Sequence, residues 1–307
     1  MMMMFGFINL NKPTGFTSHD CIAKLRKLLN NRKIGHGGTL DPAATGVLPI
    51  AVGKATRLLQ FLPDSKAYHA RIRLGVTTTT DDLEGEIIKQ VDCFDLDQEQ
   101  IIDRLKGFIG TIEQVPPIYS AIKKDGRKLY DLARKGEEIT VDARKVTISE
   151  LKLVNITRQE FLELEVEISC GPGTYIRAIA RDLGEQLGVG GTLANLVRTK
   201  SCGLSLENSL TFADIEHQSH HQTLELIKPS LLLSHLDTFT LCEEDSKRWC
   251  QGQLIDLNQA ISSSQEISLF TPEHYLATYG AAQTFLGISI LYERNEILKL
   301  KPKLVLV

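Results

Sequence analysis

The chain has 307 residues, 42% apolar and 24% charged, a composition that supports a real buried core and is ordinary for a soluble protein. No apolar run is long enough to span a bilayer, and Met1–Leu10 lacks a basic segment followed by an apolar stretch, so neither a membrane anchor nor a secretory leader is expected. The net charge of −3 does not advertise a nucleic-acid partner, yet Lys12, Lys24, Arg26, Lys27, Arg32 and Lys33 crowd the first part of the chain, and Lys123, Lys124, Arg127, Lys128, Arg134 and Lys135 form a second basic run. Such stretches suit a phosphate backbone if the fold brings them together.

In chain order, Phe5–Leu10 reads as a short strand. Thr17 or Ser18 caps a helix running to about Leu29, with Ile22, Leu25, Leu28 and Leu29 on one stripe and Asn30–Asn31 at its end. Residues 33–46, rich in Gly, Thr, Asp and Pro, form a loop. Val47–Val52 is a buried strand, and Ala55–Leu62 a short helix stopped by Pro63. Lys66–Leu74 alternates, with Tyr68, Ala70, Ile72 and Leu74 on one face. Asp97–Ile109 is helical, Pro116–Pro117 breaks the chain, and Arg127–Arg134 is a short helix ended by Gly136. Phe161–Ser169 is the clearest strand, and Gly171-Pro172-Gly173 turns it into a helix from about Thr174 to Leu187. Gly190–Leu204 is ambiguous, and Glu207–Leu236 reads as mostly helical. From Asp237 the pattern becomes short β-like runs at Phe239–Leu241, Ile267–Phe270, Tyr275–Thr278, Phe285–Tyr292 and Ile297–Leu306. The fold class expected is α+β with a mostly antiparallel sheet, residues 1–236 forming one domain and 237–307 a small all-β one.

The six cysteines form no C-x-x-C pair and have no histidine at zinc-ligand spacing, so free thiols in a reducing cytosol are expected. His220 and His221 are adjacent and do not share a helix face, so no metal site is expected there.

The segment from Lys33 to Ile50 carries the most information. It is a glycine-rich loop presenting His36 and Asp41 just before a buried strand. Pro42 biases Asp41 toward extended or turn geometry. From spacing alone two readings of Asp41 stand: a functional carboxylate, or an Asx turn. No phosphate-loop or dinucleotide fingerprint is present, and no paired carboxylates of the glycosidase kind.

Gly35–Ile50 resembles the G-H-x-G-T-L-D-P-x-A-x-G-V-L-P motif of the TruB family of tRNA pseudouridine synthases. Phe7–Ser18 resembles that family's K-P-x-G-x-T-S segment, Lys66–Gly75 its tyrosine-bearing strand, and Thr78–Gly85 the T-x-T-x-D-x-x-G loop. Val115–Tyr130 resembles P-P-x-Y-S-A-x-K…G-x-x-x-Y, and Gly171–Gly184 the G-T-Y-I-R…D-L-G motif. The matches are collinear over roughly residues 5–205. Phe285-Leu286-Gly287 and Leu298–Pro302 look like a degenerate PUA-type RNA-binding module.

The resemblance implies a pseudouridine synthase fold with a C-terminal PUA-like domain, and isomerisation of a tRNA T-loop uridine (position 55) without cofactor or metal. It implies Asp41 as the essential carboxylate, Tyr68 stacked on the base and assisting proton removal from C5, and Arg177 paired with Asp41. His36 would enter the T loop where the uridine leaves the stack, and Tyr175 and Leu196 would touch substrate. Lys12 and Pro13 would brace the loop. Read alone, Tyr68, Tyr175 and Leu196 are ordinary core residues, and Arg177 has Asp182 or Glu185 as candidate partners. Gly37 stands where many members have Thr, which could loosen the loop. The implied partner is the tRNA T arm, met by a cytoplasmic monomer with no guide RNA. Two other readings remain: a guide-dependent enzyme of the box H/ACA type, which expects basic extensions not seen after Val307, and a tRNA-folding chaperone.

Overall fold

The alternating segments 66–74 and 162–170 become neighbours in the middle of a nine-stranded sheet in the computed structural model, which describes residues 5–120, 123–124, 127–128, 141–257, 274–294 and 297–306. Across the sheet the strands run Gly6–Lys12, Thr45–Val52, Gly191–Ser201, Lys66–Leu74, Leu162–Cys170, Arg144–Arg158 and Gly110–Gln114. Ile34–His36 and Leu204–Ser205 attach to the second and third of these. Along that order every pairing is antiparallel except Thr45–Val52 with Gly191–Ser201.

Alternation explains which face is covered. Ala70, Ile72 and Leu74 join Leu162, Leu164, Val166 and Ile168 beneath two helices, Gln98–Lys106 and Ile176–Gln186, which contribute Ile101, Leu105, Ile179 and Leu183. On the other face Glu163 receives Arg71 and Arg73 from the neighbouring strand at 3.3 and 2.8 Å. Cross-strand pairs of this kind contribute on the order of 0.2–1 kcal/mol each, so the apolar face dominates. Toward the sheet edge, the helix Ser18–Leu28 starts on a capping box between Thr17 and Asp20. It lays Cys21, Ile22 and Leu25 on Ile8, Leu10, Leu48 and Ile50, together with Phe212 and Ile215 of the helix Phe212–His220. Asn30 ends it at a positive φ of 44°.

Two glycines permit close approaches that no other residue would. At Gly46 (φ +101°) a Cβ would lie 2.3 Å from the Arg198 carbonyl oxygen. This is where the parallel pair of strands meets, with Gly46 opposite Arg198. At Gly184 a Cβ would lie 2.1 Å from the Gly190 carbonyl carbon, so the helix sits directly on the start of the next strand. Gly46→Ala is expected to lower stability by roughly 3 kcal/mol, combining backbone strain and a clash with main chain. Urea unfolding measures this, and a loss within error of zero would mean the two strands separate at no cost.

A second sheet, ordered Asp237–Thr240, Tyr275–Tyr279, Phe285–Arg294, Ile297–Val305 and Ile255–Asp256, forms the C-terminal region. It has its own core around Phe239, Leu276, Leu291 and Leu300. The helix Glu243–Cys250 packs into that core, an element the strand pattern did not suggest. Its Trp249 is wholly buried and donates its indole N–H to Ser289 Oγ at 2.9 Å. Ile288, Leu304 and Leu306 share a cluster with Phe7, Val47 and Ala51, and Lys54 Nζ donates to the Leu306 carbonyl at 2.7 Å, so the two sheets are joined by packed side chains.

Some expectations need correction. Within the 33–46 loop, Ile34–His36 is a short strand, because Ile34 is buried and the backbone finds partners on Thr45–Val52. Ala55–Leu62 is a 3-10 helix, Gly53–Phe61. Arg127–Lys128 is not helical but pairs antiparallel with Lys123–Lys124, while the rest of the 127–134 helix and the 267–270 strand lie outside the described residues. The ambiguous 190–204 stretch is a central strand whose alternation is broken by register shifts at Leu193/Asn195 and Arg198/Lys200. Arg144–Arg158 is a strand that simple alternation does not reveal. It carries two such shifts, at Ile148/Glu150 and Leu153/Asn155, which move its apolar residues from one parity to the other. Among the described residues no helix is long and apolar enough to cross a membrane.

Candidate active site

The loop bearing Asp41 is held from both sides by the first strand and helix. Lys12 is completely buried and donates all three of its protons to carbonyls, those of Phe16 at 2.7 Å, Pro13 at 2.9 Å and Pro42 at 3.1 Å. Ser18 Oγ accepts from the Leu40 N–H at 2.8 Å and donates to the Leu40 carbonyl at 3.1 Å. The Gly15 N–H adds a bond to the Pro42 carbonyl at 2.9 Å. The residues on either side of Asp41 are therefore fixed by residues 12–18. This physical link accounts for the two segments occurring together. At Gly37 the loop packs against Cys202. A Cβ there would come within 3.0 Å of Cys202 Sγ, and that thiol instead donates to the Gly37 carbonyl at 3.5 Å.

Asp41 Oδ2 lies 3.1 Å from Arg177 Nη2. The same guanidinium holds Asp82 Oδ2 at 3.3 Å through Nη1 and donates to the Thr80 and Tyr119 carbonyls at 3.2 and 3.0 Å. Asp182, one of the candidate partners of Arg177 in sequence, pairs instead with Arg181 at 2.7 Å, which also holds Asp81 at 3.0 Å. Asp82 is fixed in turn by the Thr80 hydroxyl and the Glu84 N–H. Arg177 is 7% exposed at its side chain, whereas Asp41 is 41% exposed, so the carboxylate opens outward from a buried cation.

Burial pushes the Asp41 carboxyl up from its ordinary value, and Asp82 adds to that. Arg177 is the strongest influence in the opposite direction, followed by Lys12. The arginine thus opposes burial without outweighing it. Burial likewise raises the Tyr68 phenol, with Arg198 opposing. The His36 imidazole is lowered by burial and by Arg198, with Gly38 opposing, and its Nδ1 accepts the Gly38 N–H at 3.4 Å.

Asp41, Tyr68, Tyr175, Arg177 and Leu196 line one cavity of about 220 Å³, together with Lys66 and Ser120. Drug-sized pockets run to ~300–1,000 Å³, so this one suits a single base. His36, Lys12 and Pro13 do not line it. Tyr175 is positioned by Gln114, whose side-chain amide accepts the Tyr175 N–H at 2.9 Å and donates to its carbonyl at 3.1 Å, in the manner of a neighbouring strand. The sequence reading assigned no role to Asp82, Gln114, Lys66 or Arg198. Asp82 stood within the quoted 78–85 segment. Lys66 likewise opened the quoted 66–75 segment, whereas Gln114 and Arg198 carry no local signal, because their partners are distant in the chain.

The fold and this cavity define a pseudouridine synthase fold. The structure aligns with one solved as a Cbf5–Nop10–Gar1 complex at a TM-score of 0.75 and 26% identity, covering 99% of this chain and 85% of that one. Residues 26–176 match the model of the TruB family pseudouridylate synthase N-terminal domain. The tRNA pseudouridine synthase B of Gloeothece citriformis is 59% identical over 269 residues, 88% of this chain and 87% of that protein. That of Microcystis aeruginosa is 47% identical over 306 residues, 99% of each. The chain belongs to the TruB family.

Proposed function

We propose that the chain isomerises a uridine of the tRNA T loop to pseudouridine, with Asp41 as the carboxylate that acts on the sugar. The observation that carries this reading is the Asp41–Arg177 pair at 3.1 Å, opening into a base-sized cavity beside Tyr68. The relatives named tRNA pseudouridine synthase B support tRNA as the substrate. The reaction breaks the N-glycosidic bond, turns the uracil and joins its C5 to C1′ of the ribose. It neither oxidises nor transfers a group to another molecule, so its stoichiometry calls for no cofactor. An ionised carboxylate aimed at the sugar serves as nucleophile at C1′ or as base.

A uridine inside folded RNA must first leave the stack, at a cost of a few kcal/mol. In this reading His36, outside the cavity, fills the vacated place in the T loop and offsets part of that cost. Tyr68 lies against the extruded base and takes the C5 proton, with Tyr175 and Leu196 closing around it. Lys12 and Pro13 brace the loop. Residues 1–236 form the catalytic domain and 237–307 a PUA-like RNA-binding domain. The partner is the T arm, read by shape more than base sequence. The enzyme acts as a cytoplasmic monomer without guide RNA.

Purified protein is expected to form pseudouridine in unmodified tRNA, with no guide RNA or added metal, at one T-loop uridine mapped by chemical sequencing. Dependence on a guide would favour the box H/ACA reading. Tight tRNA binding and refolding without any pseudouridine would favour a chaperone.

A further inference from the structure

Arg198 sits in the middle of the sheet with no exposed surface. Its Nε donates to the Val47 carbonyl at 2.7 Å, Nη1 to Thr39 at 3.2 Å and Nη2 to Gly38 at 3.1 Å. All three acceptors are neutral. Among the described residues it makes no ion pair, whereas Arg177 and Arg181 each hold two carboxylates. Taking a lone charge out of water costs several kcal/mol even after relaxation, and carbonyl bonds offset only part of that. A fold that bears such a cost beside a functional cavity invites a functional reason.

The surroundings supply one. Gly38 and Thr39 are the last residues before Leu40–Asp41, so the guanidinium fork ties down the entry to the Asp41 loop. Arg198 is also the cross-strand register partner of Tyr68. Its backbone is brought close to the loop strand at Gly46, where no Cβ fits. We propose that Arg198 is a positioning residue that acts through Tyr68: its uncompensated positive charge favours the phenolate that removes the C5 proton, while its fork fixes the Asp41 loop.

The inference rests on the isomerase reading. Once C5 is bonded to C1′, the C5–H bond breaks and its proton goes to the Tyr68 phenolate oxygen. The released pair forms C5=C6, and the former C6=N1 pair takes a proton from water at N1. Proton count and charge balance when Tyr68 returns its proton to solvent. The other groups facing Tyr68 work against the phenolate: Asp41 from the loop and Cys170 from the neighbouring strand, each when ionised. Lys66 and Arg177 line the same cavity. Arg198 is the strongest influence opposing burial at the phenol.

The test uses full-length Arg198→Met, Arg198→Gln and Arg198→Lys, each alone and combined with Tyr68→Phe. Tyr68 ionisation is read as the phenolate absorbance difference between each protein and its Tyr68→Phe counterpart, without RNA. The Met and Gln variants are expected to move that ionisation to higher pH, and Lys to restore it toward the parent. Single-turnover pseudouridine formation is expected to fall about 10–100-fold in Met and Gln, within the range for proton-transfer assistance. In the Tyr68→Phe background the same changes should cost less than threefold more. A titration unmoved in a folded neutral variant, or equal losses in both backgrounds, overturns the role. Should the Met variant fail to fold, Gln, which keeps a donor for the carbonyls, carries the test. Parent protein that forms no pseudouridine would refute the isomerase reading itself, a result distinct from an unmoved titration in active protein.

Discussion

Asp41→Asn is expected to slow pseudouridine formation by at least about 10³-fold, as befits a group acting directly on the reacting atoms. Binding of unmodified tRNA should stay within a few-fold of the parent, because the substitution keeps the shape of a side chain that lines the cavity. The melting temperature should be equal to or above that of the parent. The sign follows from the environment. Burial raises the folded-state value of this carboxyl above its ordinary 3.8. The folded protein therefore binds the proton more tightly than the unfolded chain does. That contribution is fully present below the unfolded value and is lost as pH rises through the folded one, so near neutrality the charge is a liability to the fold. Asparagine removes it, and Asp82 still neutralises Arg177. Single-turnover kinetics, filter binding and calorimetry check the three parts. Retained turnover would remove Asp41 from the chemistry, and a collapse in melting temperature would make the kinetic loss uninformative about it.

Arg177→Met should be the most damaging single change in the site. It leaves the carboxylates of Asp41 and Asp82 without the cation between them, and it orphans the Thr80 and Tyr119 carbonyls. Removing one partner of a buried ion pair costs roughly 3–5 kcal/mol, readable by urea unfolding. Arg177 is also the strongest influence lowering Asp41, so without it the carboxyl rises further and the acid limb of kcat/KM moves to higher pH. Arg177→Lys should recover part of the stability and little of the rate, since an ammonium cannot reach two carboxylates and two carbonyls from one rigid fork. An acid limb at the parent position in a folded Arg177→Met protein would show that some other cation governs Asp41.

Much of this was legible in the residues. Strands at 66–74 and 162–170 follow from strict alternation, because one pleated face must meet the core. The cap at Thr17 and the stop at Asn30 follow from local chemistry that needs no distant partner. Where two bulges interrupt a strand, as in 144–158, alternation changes parity and the signal fails although the segment is well paired on both sides. The helix at 243–250 was hidden for another reason: it buries chiefly Trp249, so its sequence shows no apolar stripe.

The site divides along the same line. The types of side chain in the 35–50 loop and their order belong to the sequence, whereas the need for glycine at position 46 comes from the Arg198 main chain that the parallel strand pair brings against it. Tertiary structure decided that Arg177 turns to Asp41 and Asp82 and leaves Asp182 to Arg181. It also set the net upward direction at Asp41 and put across from Tyr68 a guanidinium that makes no ion pair among the described residues. Charge interactions and desolvation depend on distances between atoms remote in the chain and on what excludes water around them, and neither quantity exists until the sheet has closed over the loop.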